Sequence, residues 1–256
     1  MKQPKDSVET TEQRRTARSA SGTADAKPIE RERANPSPPP IADAHPAVDR
    51  AQQGNDPLAH AADLARNGDL AEAATAYRTY LTRHPEDVPA RRGLAGVLEQ
   101  KGDFVGALGE LGRAIDAQPD DVSLLCDRAA VQMALQRYDQ AESDLRRASK
   151  IDAESAEVLF NFGMLYCKKA RWREAIVPLQ RAAELDPSNS QGHYYLAEAY
   201  NQTDQLKLAL AAYEEAVKLQ PTSYRALKGV GIVLDKLGRP AEATAAYQRA
   251  REAQRR

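Results

Sequence analysis

From about residue 54 onward, apolar residues recur at the three-to-four spacing of amphipathic helices, and the helical pattern itself repeats. Pro85, Pro119, Pro187 and Pro221 stand 34, 68 and 34 residues apart, and Ala153 occupies the place that completes the series. Taking Gly54, Val88, Val122, Ala156, Ser190 and Tyr224 as the first residues of successive units aligns side chains by size. Position 8 reads Ala61, Ala95, Ala129, Gly163, Ala197, Gly231, and position 20 reads Ala73, Ala107, Ala141, Ala175, Ala209, Ala243. Position 27 reads Tyr80, Ala114, Ala148, Ala182, Ala216, Ala250. Larger residues fill position 24 (Tyr77, Leu111, Leu145, Leu179, Tyr213, Tyr247) and position 11 (Leu64, Leu98, Gln132, Tyr166, Tyr200, Leu234). Small columns let two antiparallel helices approach, and the large ones fill the space between them. A fixed period of 34 predicts stacked helix–turn–helix units, each unable to bury its apolar face without a neighbour.

Punctuation residues agree with that period. Gly68-Asp69, Gly102-Asp103 and Gly238-Arg239 fall between the first (A) and second (B) helix of a unit, where glycine or a capping aspartate belongs. Asp186-Pro187-Ser188-Asn189 closes one unit and opens the next, and Pro89 and Pro240 fall in first helical turns. Pro178 lies inside helix B of unit four and predicts a kink, because it removes one hydrogen bond and crowds the Glu174 carbonyl. Unit two carries Gly93, Gly96, Gly102, Gly106, Gly109 and Gly112. At about 1 kcal/mol per interior helical glycine this predicts the weakest link of the stack. The alternative is that Gly106, Gly109 and Gly112 form a flat outer stripe for a partner helix.

The run Leu159-x2-Phe162-Gly163-x2-Tyr166, followed by Ala175, Leu179, Ala182 and Pro187, resembles the tetratricopeptide repeat family pattern W-x2-L-G-x2-Y, A-x3-F, A, P. The resemblance covers residues 54–256 as six repeats: 54–87, 88–121, 122–155, 156–189, 190–223 and 224–256. It implies an all-α fold, a right-handed superhelical solenoid of about twelve helices. Three positions depart from the pattern: Tyr80 is large where alanine is usual, Gln132 replaces the aromatic of repeat three, and Ala153 replaces a proline.

Composition changes the picture mainly at the N-terminus. Residues 1–53 hold seven of the 15 prolines, among them Pro36, Pro38, Pro39 and Pro40, and show no sustained periodicity. Such a segment buries too little apolar surface to offset ordering and is expected to be a disordered tail. Met1 to Arg18 carries no apolar signal-type run, and no stretch of the chain is long and apolar enough to span a membrane, so a cytoplasmic place is expected. Lys plus Arg total 36 against 37 Asp plus Glu, a net charge of −1, which argues against nucleic-acid binding by bulk electrostatics.

Catalytic chemistry finds no foothold. His45, His60, His84 and His193 share no helical turn, and there is no CxxC, HExxH, EF-hand or phosphate-binding glycine loop. Glu214 and Glu215 are adjacent on a helix and point apart. Cys126 and Cys167, the two cysteines, are too far apart along stacked helices to bridge and are read as small apolar groups. No enzyme activity, metal or cofactor is expected.

What the resemblance implies is a partner surface on the A helices, at positions 2, 5, 9, 12 and 13. Those positions provide an apolar centre (Cys126, Ala130, Met133, Phe160, Met164, Cys167, Tyr194) flanked by Arg92, Glu99, Lys168, Glu198, Asn201, Arg225, Lys228, Asp235 and Lys236. Asn161, at position 6, is placed to bond an extended peptide backbone. Met133, Met164 and Phe160 have packing as their alternative role, and Trp172, opening a helix B, is read as inter-repeat packing. The carboxylate clamp of chaperone-tail-binding relatives needs Lys and Asn where Cys126 and Ala130 stand, and Lys and Arg where Gln191 and Tyr195 stand. An acidic C-terminal tail is therefore not the expected ligand. The expected function is a non-catalytic scaffold binding a peptide or partner helix. The alternatives are a self-associating assembly subunit, dimeric through its terminal repeats, and a regulatory subunit of an enzyme complex.

Overall fold

The computed structural model describes residues 56–255. The expected tail over residues 1–53, with its proline run, lies outside the described residues, as do Gly54 and Arg256. Among the described residues there are twelve α-helices and no strand. In chain order they are α1 (Pro57–Asn67), α2 (Leu70–Arg83), α3 (Val88–Gln100), α4 (Phe104–Ala117), α5 (Val122–Ala134) and α6 (Tyr138–Ile151). The second half comprises α7 (Ala156–Lys168), α8 (Trp172–Leu185), α9 (Ser190–Gln202), α10 (Leu206–Leu219), α11 (Tyr224–Lys236) and α12 (Pro240–Gln254). Odd-numbered helices are the A helices. Each packs on the B helix that follows it and, from α3 onward, on the B helix before it; α1 also touches α3, and α5, α7, α9 and α11 touch in succession. The result is a solenoid.

Each A helix starts on a capping side chain. Asp56, Asp87, Asp121, Ser155, Asn189 and Ser223 accept from a backbone N–H in the first turn, as in Asp87 Oδ1 with Ala90 N at 2.8 Å and Asn189 Oδ1 with Gly192 N at 2.9 Å. Such a cap is worth about 1 kcal/mol and satisfies a donor that the helix itself leaves unpaired.

The A helices also end alike. Gly68, Gly102, Gln136, Ala170, Asp204 and Gly238, spaced 34 apart, all adopt positive φ, between 55° and 88°. At each, two backbone bonds run back into the A helix, for example Ala170 N to Cys167 O at 3.0 Å and Arg171 N to Tyr166 O at 2.8 Å. This is the Schellman arrangement, and it turns the chain back on itself within a few residues. Glycine supplies the left-handed conformation in three of the turns. In the other three, Gln136, Ala170 and Asp204 adopt it with a side chain in place.

The interior is built from the aligned columns. All six alanines of position 20 are buried, as are Ala114, Ala148, Ala182, Ala216 and Ala250 of position 27. Tyr80, the exception in that column, is half-buried at the open side of the first helix pair. Its ring lies 4.5 Å from the His84 ring, and its hydroxyl donates to Asp87 Oδ2 at 3.0 Å. Buried apolar side chains fall into two clusters that meet on α7: Val158 and Leu165 close the N-terminal one, and Cys167 opens the C-terminal one. Trp172 packs on the second cluster. Helix α8 is continuous from Trp172 to Leu185 through Pro178.

Gln132, the departure at position 11, belongs to a polar bridge between α5 and α6. Arg128 donates twice to Asp144, at 2.8 and 2.7 Å, and Gln132 Nε2 donates to Asp144 Oδ2 at 3.0 Å. The bond to Asp144 holds the Arg128 pKa above its ordinary value.

Candidate functional site

Side chains of α3, α5, α7 and α9, with Asp186 and Asn189 from the turn between α8 and α9, line a cavity of about 610 Å³ at the middle of the stack. Its apolar floor comes from Cys126, Ala130 and Met133 on α5 and from Phe160 and Met164 on α7, with Tyr195 of α9 at one side. The Phe160 and Tyr195 rings are tilted with centroids 6.0 Å apart. The cavity lies over the seam between the two core clusters, since Met164 packs against the N-terminal cluster and Phe160 against the C-terminal one.

Six of the eleven expected site residues come together here: Cys126, Met133, Phe160, Asn161, Met164 and Lys168. Three of them are buried. Cys126 is 1% exposed, Met133 3% and Asn161 5%, so they form floor and packing, leaving Phe160, Met164 and Lys168 as the accessible side chains of the set. Asn161 Nδ2 donates to the Glu157 carbonyl of its own helix at 2.9 Å, so that N–H is not available to a peptide backbone. Burial, reinforced by Glu157 and Asp127, pushes the Cys126 thiol far above the usual range.

The other five stand elsewhere. Arg92 is exposed on α3, and its Nε donates to Asp127 Oδ2 at 2.5 Å. Tyr194 lines a separate cavity of about 340 Å³ between α9 and α11. Burial, with Glu198 nearby, pushes the Tyr194 hydroxyl up to about 12. Glu198 accepts the Tyr213 hydroxyl hydrogen bond. Asn201 is buried and accepts from Lys236 Nζ at 2.7 Å, which ties α9 to α11. Lys228 is exposed, its ammonium 6.0 Å from the centroid of the Tyr224 ring.

Sequence reading missed Asp127, Glu157, Asp186, Asn189, Gln191 and Tyr195 as cavity-lining residues. Glu157 and Gln191 sit at position 2, which the groove rule already named. Asp127 and Tyr195 sit at position 6, which it omitted. Glu157 accepts from Ser123 Oγ at 2.8 Å, a rung between α5 and α7. Partial burial and the charge of Asp127 hold the Glu99 carboxyl above its ordinary range.

Cys167 is buried with its thiol pushed up to about 12 by desolvation, which makes it a poor nucleophile at neutral pH. Among the described residues no group of three or more His, Cys, Asp or Glu side chains is placed to hold a metal ion. No described helix is long and apolar enough to cross a membrane. A further cavity of about 610 Å³ lies on the first helix pair, lined among others by His60, Leu64, Tyr80 and His84.

A family model described as tetratricopeptide repeat matches residues 58–122, 160–224 and 202–255. No curated protein matches the sequence. Among solved structures, a crystal structure of MamA is similar at 25% identity and a TM-score of 0.53, over 63% of this chain and 95% of that one. The APC/C hetero-tetramer Cut9–Hcn1 matches at 17% identity and a TM-score of 0.73, over 77% of this chain and 39% of that one. YrrB, described as a TPR protein with an unusual peptide-binding site, matches at 18% identity and a TM-score of 0.50, over 71% of this chain and 93% of its own.

Proposed function

The chain belongs to the tetratricopeptide repeat family, and from that premise we propose that it is a non-catalytic scaffold holding a peptide segment of a partner protein in the cavity formed by α3, α5, α7 and α9. The observation that carries this reading is the cavity itself: an apolar floor of A-helix side chains with a polar margin. A recognition surface has that anatomy, with a desolvated centre and a wet rim. Phe160 and Met164 are half-buried there, so a ligand that covers them removes further apolar area from water, at roughly 25 cal/mol per Å². Met164 has the unbranched, polarizable side chain that adapts to differing apolar partners. Both sit on a helix fixed by packing on two sides, so little ordering cost falls on the protein.

The test is selection of peptides from a random display library on the full chain, followed by rebinding to a Phe160→Ala/Met164→Ala variant whose helicity is unchanged by circular dichroism. Selected peptides should bind the variant at least about ten-fold more weakly, the effect of losing central anchors. Clones that bind both proteins equally well would place recognition outside this cavity and overturn the reading.

A further inference from the structure

We infer that the segment this cavity takes is cationic: an apolar side chain on the Phe160–Met164 floor, with arginine or lysine beside it. This rests on the peptide-binding reading above and adds the chemistry of the ligand.

Four carboxylates line the cavity, from Glu99, Asp127, Glu157 and Asp186, against the single cation Lys168. Only Asp127 has a salt-bridge partner among the described residues, the Arg92 guanidinium. Glu157 accepts one neutral hydroxyl from Ser123, and Asp186 accepts from the backbone and hydroxyl of Ser188 in its own turn. Glu99 has neither a hydrogen bond nor an ion pair among the described residues.

A second observation points the same way. Asn161 lines the cavity at 5% exposure with its Nδ2 committed to the Glu157 carbonyl, and its Oδ1 has no hydrogen-bond partner among the described residues. The cavity thus presents a surplus of acceptors around an apolar floor. A guanidinium carries five N–H donors in a planar fork and stacks on aromatic faces, and the Phe160 and Tyr195 rings stand beside these acceptors. An acidic peptide would instead bring its charge against three carboxylates that lack a counter-ion, and like charges in a partly desolvated groove repel strongly. Elsewhere on the molecule, several acidic side chains are met by arginines three residues away, as in Arg171–Glu174, Arg181–Glu184 and Arg239–Glu242.

The experiment uses two synthetic peptides with the same apolar centre, one flanked by arginines and one by glutamates, titrated into the full chain and followed by fluorescence anisotropy. The arginine peptide should bind on the order of ten-fold more tightly, a preference that shrinks with added salt. A Glu99→Gln/Glu157→Gln variant should lose several-fold of that affinity, while Glu214→Gln/Glu215→Gln on α10, with the same change in net charge, should not. Equal loss in both variants would mean bulk attraction and overturn the proposal. Equal binding of the two peptides, or tighter binding of the glutamate peptide, with either still weakened by Phe160→Ala/Met164→Ala, would overturn the cationic preference and leave the peptide groove standing. Binding of neither peptide, or binding indifferent to Phe160→Ala/Met164→Ala, would overturn both.

Discussion

The ring of Tyr213 fills the space that a methyl group on Gly229 would need: a Cβ built there runs into ring carbons Cε1 and Cζ. The two residues are 16 apart, joining position 24 of one repeat to position 6 of the next. The same relationship recurs four repeats earlier, where a Cβ on Gly93 would come within 2.6 Å of Tyr77 Cζ. Where position 24 is leucine instead (Leu111, Leu145, Leu179), position 6 of the next repeat is Asp127, Asn161 or Tyr195. A large side chain behind is matched by none in front. Gly93→Ala and Gly229→Ala should each cost about 1–3 kcal/mol by overpacking. Tyr77→Leu should recover part of the Gly93→Ala loss. Shifts in urea midpoint measure both.

Gly96, Gly109 and Gly112 are the opposite case, since nothing lies within 4 Å of a Cβ added at any of them. Alanine there should stabilise by up to about 1 kcal/mol each. A helix-rich repeat two with no gain from these substitutions would show that its glycines are not a source of weakness.

The three turns without glycine should respond in a graded way. Left-handed backbone costs an ordinary residue roughly 1 kcal/mol or more, and less for aspartate, whose short polar side chain bonds locally. Ala170→Gly and Gln136→Gly should therefore raise the thermal midpoint more than Asp204→Gly does. Replacing Gly68, Gly102 or Gly238 with alanine should lower it, because all three hold positive φ.

Asp144 holds both Arg128 and Gln132 and is 7% exposed. Asp144→Ala leaves a half-buried guanidinium and a buried amide without their acceptor, and should cost about 3–5 kcal/mol. Replacing all three together with apolar residues of similar size should cost far less. Comparing the single and triple variants by chemical denaturation separates the worth of the bridge from the penalty of breaking it.

Glu99 gives a pH signature. Its carboxyl is held above the ordinary range, so the folded chain binds that proton more tightly than the unfolded chain does. Stability therefore falls as pH rises from the usual carboxylate pKa through the raised one, and the loss is absent below both. Glu99→Gln should stabilise slightly at neutral pH, by an amount that solvent screening keeps small at this exposed position, and give no gain at about pH 4. Denaturation curves at the two pH values check the sign.

The helix order was legible because spacing alone carries it. Val88, Val122, Ala156, Ser190 and Tyr224, aligned by the size columns, are the first residues of α3, α5, α7, α9 and α11. The cap column at Asp87, Asp121, Ser155, Asn189 and Ser223 lay one residue earlier in the same frame and could have been read with it. The site was less legible, because a period says which face of a helix looks inward but not how deeply a side chain sinks. Cys126 and Met133 occupy groove positions and are nonetheless buried in the N-terminal core cluster. Asp127 and Tyr195 reach the cavity from a position that faces the preceding repeat, and only the Tyr–Gly pairing along the chain hints at it. Gln136 and Ala170 carry no residue-level sign of their backbone, and only their phase reveals it.

Each A helix closes on a left-handed residue, and the six of them keep one phase from Gly68 to Gly238. The molecule is in that sense a ruler with identical graduations. Excising one whole graduation joins a turn to an equivalent turn and an alanine column to an alanine column, whereas removing a few residues more or fewer would rotate every later side chain onto the wrong face. Length in this protein can therefore change only in whole repeats, and a shortened chain would keep its interior while moving the two ends of the groove closer together.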